Sequence, residues 1–277
     1  MRLTETAYAK INLALHVRRR REDGYHDLET LFAFVDAGDE LVIEPAEQDS
    51  FAIGGEFAGG LSFFDNLVLD ALNSMRRMPF GSVPQLAIHL QKNLPVAAGL
   101  GGGSADAGAM IRLLDRAFVR NGDGKELVLA NQHLGADVAA CIVSRTRIGR
   151  GTGEQLEPVE NDMAGMPILL VNPRVPVPTG PVFKAWDQID RGPMPSGKAS
   201  VIALEGRNDL EIPAIGICPE IATCLATLRE TSPWLARMSG SGATCFALYE
   251  DASQRDAAAA KIAASNPDWW QMTGALR

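Results

Sequence analysis

Hydrophobic positions along the first half of the chain switch between two periods. From Ala7 to Val17 they alternate, with Ala7, Ala9, Ile11, Leu13, Leu15 and Val17 on one side and Tyr8, Lys10, Asn12 and His16 on the other. That is the pattern of a half-buried strand carrying a polar stripe. Residues 18–24 read as a charged turn, and strands follow at 28–35 and 40–44. Leu67, Val68, Leu69, Ala71, Leu72 and Met75 then recur at helical spacing, which predicts a helix capped by Asp65. Leu86, Ile88 and Leu90 alternate again as a strand. A glycine-rich loop at 93–103 leads into a helix opened by Ser104 and running to Phe118. A further helix at 125–134 stops at Gly135, Asp137 falls in a turn, and 138–143 reads as a short buried strand.

The second half begins with a strand at 168–172 and a loop punctuated by Pro173, Pro176, Pro178 and Pro181. Several short helices, a glycine loop at 239–242, a strand at 245–249 and an alanine-rich helix at 252–264 complete it. The shift to glycine and charge over 147–160 places a domain boundary near residue 155, dividing the chain into 1–155 and 156–277. No internal repeat is visible, and the mixed order of strands and helices indicates α+β rather than a regular βαβ winding.

Composition narrows the class. With 277 residues, 46% hydrophobic and 22% charged, the chain can bury substantial cores and is not a disordered one. Its apolar runs, such as Pro167 to Val171, fall far short of the ~18–20 residues a bilayer requires. Residues 1–20 lack the apolar core of a signal peptide, so a cytoplasmic protein with no membrane partner is expected. A net charge of -8 repels nucleic-acid backbones. The four cysteines form no CxxC and stand at no zinc spacing from the four histidines, which makes them reduced thiols and leaves metal ligands unassigned.

The informative signal is the glycine clustering. In Pro95-Val96-Ala97-Ala98-Gly99-Leu100-Gly101-Gly102-Gly103-Ser104, residues without Cβ let successive amides converge on an anion, and the helix that follows adds its own unsatisfied N–H groups. A tight turn with close helix packing is the plainer reading of such a loop. No third glycine completes a GxGxxG dinucleotide motif. Gly192 to Lys198 matches GxxxxGK by spelling only, with Ala199 where a magnesium-binding hydroxyl belongs. A second loop, Ser239-Gly240-Ser241-Gly242-Ala243-Thr244, suggests one ligand gripped between the two halves.

Together with Ala7-Tyr8-Ala9-Lys10-Ile11-Asn12-Leu13-Ala14-Leu15, the two loops resemble, in order, the three signature motifs of the GHMP small-molecule kinases, nearly end to end. The segment from Arg21 through Asp23, Gly24, Tyr25 and His26 to Phe32 is similar to one peculiar to a single branch, whose acceptor carries a cytidine diphosphate. The resemblance implies a two-domain α+β fold, an N-terminal domain like ribosomal protein S5 domain 2 and a C-terminal ferredoxin-like sandwich. It implies transfer of a phosphoryl group from ATP, with Mg²⁺, to the 2-hydroxyl of a cytidine diphosphate-linked methylerythritol in non-mevalonate isoprenoid synthesis, by a monomer or homodimer.

The same resemblance distributes roles. Asp137 accepts or orients the hydroxyl proton and Lys10 supports its charge, which makes these two the catalytic residues. Asn66 contacts adenine, Lys92 reaches the nucleotide, and Pro95, Ala97, Ala98, Gly99, Leu100, Gly101, Gly102, Gly103 and Ser104 cradle the phosphates. Asn12 and Asp137 meet the acceptor alcohol, Tyr25 and Phe183 stack on cytosine and His26 reads its edge. Thr179, Gly240 and Ser241 take the rest of the substrate. Val138, Ala139 and Ala140 depart from the branch pattern of valine, proline and an aromatic, so the wall behind the acid differs.

Overall fold

A computed structural model describes residues 2–59, 61, 66–78, 82–119 and 124–277. The first two strands are long: β1 spans Leu3–Arg20 and β2 spans His26–Pro45. They are followed by β3 (Ser50–Gly54), α1 (Leu67–Arg76), β4 (Leu86–Gln91), α2 (Gly102–Leu114), α3 (Gly124–Asn131) and α4 (Ala136–Val143). Then come β5 (Arg147–Gly151), β6 (Gln155–Pro158), β7 (Pro167–Asn172) and the helices α5 (Thr179–Lys184), α6 (Ala199–Glu205), α7 (Glu211–Ile217) and α8 (Glu220–Arg229). The chain closes with β8 (Leu235–Met238), β9 (Cys245–Leu248), α9 (Ala252–Ser265) and β10 (Trp270–Ala275).

By its contacts the chain forms two compact units, each drawing on distant segments. The first holds 1–9, 38–96 and 101–144; the second holds 10–37, 97–100 and 145–277. The sequence boundary near residue 155 therefore differs from the contact division, because β1, β2 and the glycine loop each contribute to both units.

In the first unit the end of β2 pairs antiparallel with β4, Glu40 opposite Gln91, and β3 joins β4 in parallel. α1 and α2 pack together, as do α2 and α4. Gly108 makes the second contact possible, since a Cβ there would lie 2.7 Å from the Cys141 backbone. One turn further along α2, Arg112 donates to the Cys141 carbonyl at 2.5 Å and the Ser144 hydroxyl at 2.8 Å. These contacts set α2 and α4 side by side with their N-termini at the same end.

In the second unit β2 pairs with β5 from Leu28 opposite Gly151 to Phe32 opposite Arg147, and β6 follows antiparallel. The other sheet has the order β10-β7-β9-β8, antiparallel throughout. With helices between β7 and β8 and between β9 and β10, this is the β-α-β-β-α-β ferredoxin-like arrangement implied for the C-terminal half. Its core gathers Val171, Leu225, Leu228, Met238, Tyr249 and Ile262.

Several expectations are corrected. β1 is buried on both faces along its middle, so the polar stripe is enclosed rather than solvated, with His16 fully buried. It also runs on to Arg20, so the turn is shorter than 18–24. The strands expected at 28–35 and 40–44 are one strand, because the polar residues between them find partners. Asp36 accepts from the Ala275 amide at 2.7 Å, Asp39 accepts from the Leu94 amide at 2.8 Å, and Gly38 admits the Ala7 carbonyl where a Cβ would lie 1.9 Å from it. Residues 138–143 are helical: a short apolar run fits a buried helix as well as a strand, and its alanines favour the helix. α2 ends at Leu114, and 115–119 form a π-helical turn instead of continuing to Phe118. Asp65 lies outside the described residues, and α1 is capped by Asn66, whose Oδ1 accepts from the Val68 amide at 3.0 Å. All four cysteines are buried, and none forms a disulfide among the described residues.

Candidate functional site

In the second unit the functional side chains start from β1. Lys10 and Asn12 are 4% and 3% exposed. The Lys10 ammonium donates to Asn12 Oδ1 at 3.1 Å, Asn12 Nδ2 donates to Thr30 Oγ1 at 2.8 Å, and the Thr30 hydroxyl donates to the Ala14 carbonyl at 2.7 Å. The chain of donors orients the amide so that its oxygen faces the ammonium. Lys10 Nζ also stands 5.4 Å from the centre of the Phe32 ring. Its charge is thereby held in a fixed, poorly hydrated position, where it acts more strongly than in water.

Both glycine segments are tied to this strand. The Lys10 amide donates to the Leu100 carbonyl at 3.1 Å and the Thr244 amide to the Ala98 carbonyl at 3.2 Å. The Ser239 hydroxyl accepts from the Asn12 amide at 3.2 Å and donates to the Gly99 carbonyl at 2.8 Å. Gly99 has φ +76°, and a Cβ on it would lie 2.2 Å from the Ser239 carbonyl oxygen. Asn208 Nδ2 donates to the Met238 and Gly240 carbonyls, both at 2.8 Å. Thr179 and Ser241 share a hydroxyl contact at 3.1 Å. Residues 98 and 99 of the first loop thus meet residues 239–244 of the second within the second unit. Ser239 and Asn208 are the pins, and a lone serine or asparagine carries no sequence signal for that work.

At the hairpin end of the same unit, His26 is buried against Phe183, ring centres 5.0 Å apart and planes tilted by 35°. Trp186 meets it edge-on at 5.8 Å and 82°. Burial, helped by the charge of Arg20, holds the imidazole below its usual pKa, so at neutral pH it offers one donor and one acceptor. Tyr25 is 66% exposed and makes no ring contact among the described residues, so the second stacking face is not assembled here. Trp186 lies outside the sequence motifs. Its position three residues after Phe183, on a helical turn closed by the Trp186 amide donating to the Phe183 carbonyl at 3.3 Å, is the signal that finds it.

In the first unit the glycine run becomes the start of α2. Gly101 is the N-cap, left-handed at φ +62°, with no side-chain cap and no acid in the first turn. Ser104 is therefore the third helical residue rather than the cap. The amides of Gly102, Gly103 and Ser104 point out of the helix end with its positive dipole behind them, a built acceptor for an anion. Gly103 is exposed, and a Cβ on it would meet Leu67 of α1 at 3.7 Å, so both helices begin close together.

Lys92, expected to reach nucleotide, is 3% exposed and bonded elsewhere. Its ammonium pairs with Asp39, and with Asp106 Oδ2 at 2.6 Å. It lies beneath the helix start, 3.5 Å from where a Gly102 Cβ would stand. Burial pushes the Asp106 carboxyl up to about 8 against the pull of the lysine, and the two carboxylates outweigh burial to raise Lys92. Asn66 spends its side-chain oxygen on the α1 cap. Asp137 is half-buried in the first turn of α4, at the end where Gly102 opens α2.

Residues 66–145 match the model of the GHMP kinases N terminal domain, and residues 199–268 that of the GHMP kinases C terminal. The chain is 59% identical over 280 residues to the 4-diphosphocytidyl-2-C-methyl-D-erythritol kinase of Erythrobacter litoralis, covering 99% of this chain and 100% of that one. A crystal structure of 4-(cytidine 5'-diphospho)-2C-methyl-D-erythritol kinase superposes with a TM-score of 0.80 at 31% identity, covering 99% of both chains. The homoserine kinase of Cytophaga hutchinsonii shares the fold, with a TM-score of 0.70 at 14% identity over 99% of this chain and 95% of the other.

Proposed function

Because the chain belongs to the 4-diphosphocytidyl-2-C-methyl-D-erythritol kinases of the GHMP superfamily, we propose that the residues described above work as follows. The reaction is phosphorylation of the 2-hydroxyl of 4-diphosphocytidyl-2-C-methyl-D-erythritol by ATP, in the methylerythritol phosphate route to isoprenoids. The observation that carries the reading is the uncapped, glycine-led start of α2, which offers free amides and a dipole end to a polyphosphate. Phosphoryl transfer asks mainly for positioning and charge neutralisation, and an anion cradle supplies both.

The adenine meets the Asn66 amide, and the phosphates lie along residues 99–104. Lys10 supplies fixed positive charge and Asn12 orients the acceptor hydroxyl. Asp137 takes or directs its proton. Cytosine seats at His26 and Phe183 with Tyr25 closing over it, while Thr179, Gly240 and Ser241 hold the linking diphosphate. Lys92 acts from behind as a buried brace for the loop and does not touch nucleotide. A hydrated Mg²⁺ carried by ATP suits the donors at this end, the Ser104 hydroxyl and a single carboxylate, and would neutralise phosphate charge there.

No described helix is long and apolar enough to cross a membrane, and the net charge is -8. We place the enzyme in the cytoplasm without a nucleic-acid partner.

The test is an ATP-consumption assay over a panel of alcohols. Turnover is expected with 4-diphosphocytidyl-2-C-methyl-D-erythritol and only background with mevalonate, homoserine or galactose. Comparable turnover on mevalonate would overturn the assignment of the acceptor.

A further inference from the structure

The run Arg18 to Arg21 sits at the hairpin between β1 and β2, and its four cations are not equivalent. Arg18 lies 3.4 Å from Glu29 and 3.0 Å from Asp190, Arg19 lies 2.5 Å from Asp27, and Arg21 lies 2.9 Å from Asp23. Arg20 is exposed and has no carboxylate partner among the described residues. Three of the four charges are compensated by carboxylates. One is left over.

Hairpin geometry says where that charge stands. The Gly24 amide donates to the Arg21 carbonyl at 3.2 Å, Gly24 is left-handed at φ +87°, and the Arg21 amide donates to the Tyr25 carbonyl at 2.8 Å. A three-residue turn closed in this way makes Arg20 and His26, the last residue of β1 and the first of β2, a directly opposed pair. The Arg19–Asp27 ion pair fits the same register. Opposed residues of antiparallel strands send their side chains to one face, with Cβ atoms about 5 Å apart. The guanidinium therefore emerges beside the imidazole, on the face where His26 meets Phe183. The influence of Arg20 on the His26 imidazole agrees with this placement.

We propose that Arg20 is a substrate-binding residue, whose guanidinium takes a phosphate of the nucleoside diphosphate acceptor as the base seats against His26 and Phe183. This rests on reading His26 and Phe183 as the base site. A guanidinium in water gains little from a solvated neighbour, but one facing an incoming dianion steers it and then forms charge-assisted hydrogen bonds. On a chain of net charge -8, an uncompensated cation at the mouth of an anion's site offsets the general repulsion.

The test compares Arg20→Gln, Arg20→Lys and Arg19→Gln in steady-state kinetics and in binding of CDP and cytidine. For Arg20→Gln, KM for the cytidine-linked substrate should rise about tenfold, with kcat and KM for ATP unchanged and a weaker dependence of kcat/KM on salt. Arg20→Lys should recover part of the loss, and Arg19→Gln, whose cation is already paired, should stay within about twofold of the parent. CDP should bind Arg20→Gln about tenfold more weakly while cytidine binds unchanged. An unaltered KM, or equal weakening of CDP and cytidine, overturns the proposal. His26→Ala and Phe183→Ala separate the two layers: if they raise KM while Arg20→Gln does not, only Arg20 falls. If they too leave KM unchanged, the base site itself is wrong.

Discussion

Asp137 shows how one side chain's neighbours give it a role. It stands half-buried in the first turn of α4, where the amides of the helix start favour a negative charge. In the proposed mechanism its partner is the acceptor alcohol and not the nucleotide, which separates two kinetic constants. Asp137→Asn keeps shape and hydrogen bonding but removes the base, and should lower kcat by about 10²–10⁴-fold while KM for ATP stays within about twofold. Steady-state assays with each substrate varied would check it, and an undiminished kcat would remove Asp137 from the mechanism. At this scale the motif was legible: Lys10, Asn12, His26 and Phe183 all occupy interacting positions. Trp186, Ser239 and Asn208 were not, because each acts through a partner remote in the chain that periodicity cannot name. The pairing of Lys92 is not legible for the same reason, its two carboxylates lying 53 and 14 residues away.

Among the elements, the glycine loop and the start of α2 depend on backbone approach more than on side chains. Gly99 and Gly24 are both left-handed, at φ +76° and +87°, but a Cβ on Gly99 would strike the Ser239 carbonyl at 2.2 Å while one on Gly24 would meet nothing within 4 Å. Gly24→Ala should therefore cost only the conformational penalty, about 1 kcal/mol. Gly99→Ala should cost well beyond that and raise KM for ATP, since two main chains must part. Urea unfolding of the two variants gives the comparison, and equal losses would mean that the loops do not bear on each other. Beneath α2, the Lys92, Asp39 and Asp106 cluster gives stability a pH signature. The Asp106 carboxyl is raised from 3.8 to about 8, chiefly by burial, so between those values the folded chain holds a proton that the unfolded chain has released. Its contribution is complete below about pH 4 and is lost as pH climbs through about 8. Asp106→Asn should flatten that decline, seen as a smaller difference between urea midpoints at pH 5 and pH 8. An unchanged slope would show that another group titrates there.

For the whole molecule, the order of elements and the class of fold could be read in advance. The strand at β4, the helices α1, α3 and α9, and the glycine loops announced themselves through spacing of apolar residues, because burial on one face imposes a period wherever it operates. What period alone left undetermined was anything with both faces covered. β1 is enclosed on its polar side, β2 runs unbroken through Asp36 to Asp39, and α4 looked like a strand. For β2 and α4 the partner, whether the Ala275 amide, the Leu94 amide or the backbone of Gly108 against Cys141, comes from a distant part of the chain. The division into contact units follows the same logic, since strands that serve two units cannot be assigned to one by composition. From the residues alone came the family, the reaction and the class of fold, all of which reside in local motifs. Folding settled which buried charges pair, which loops brace each other and which arginine of four keeps its charge available, because those outcomes depend on distances between residues that the linear order does not encode.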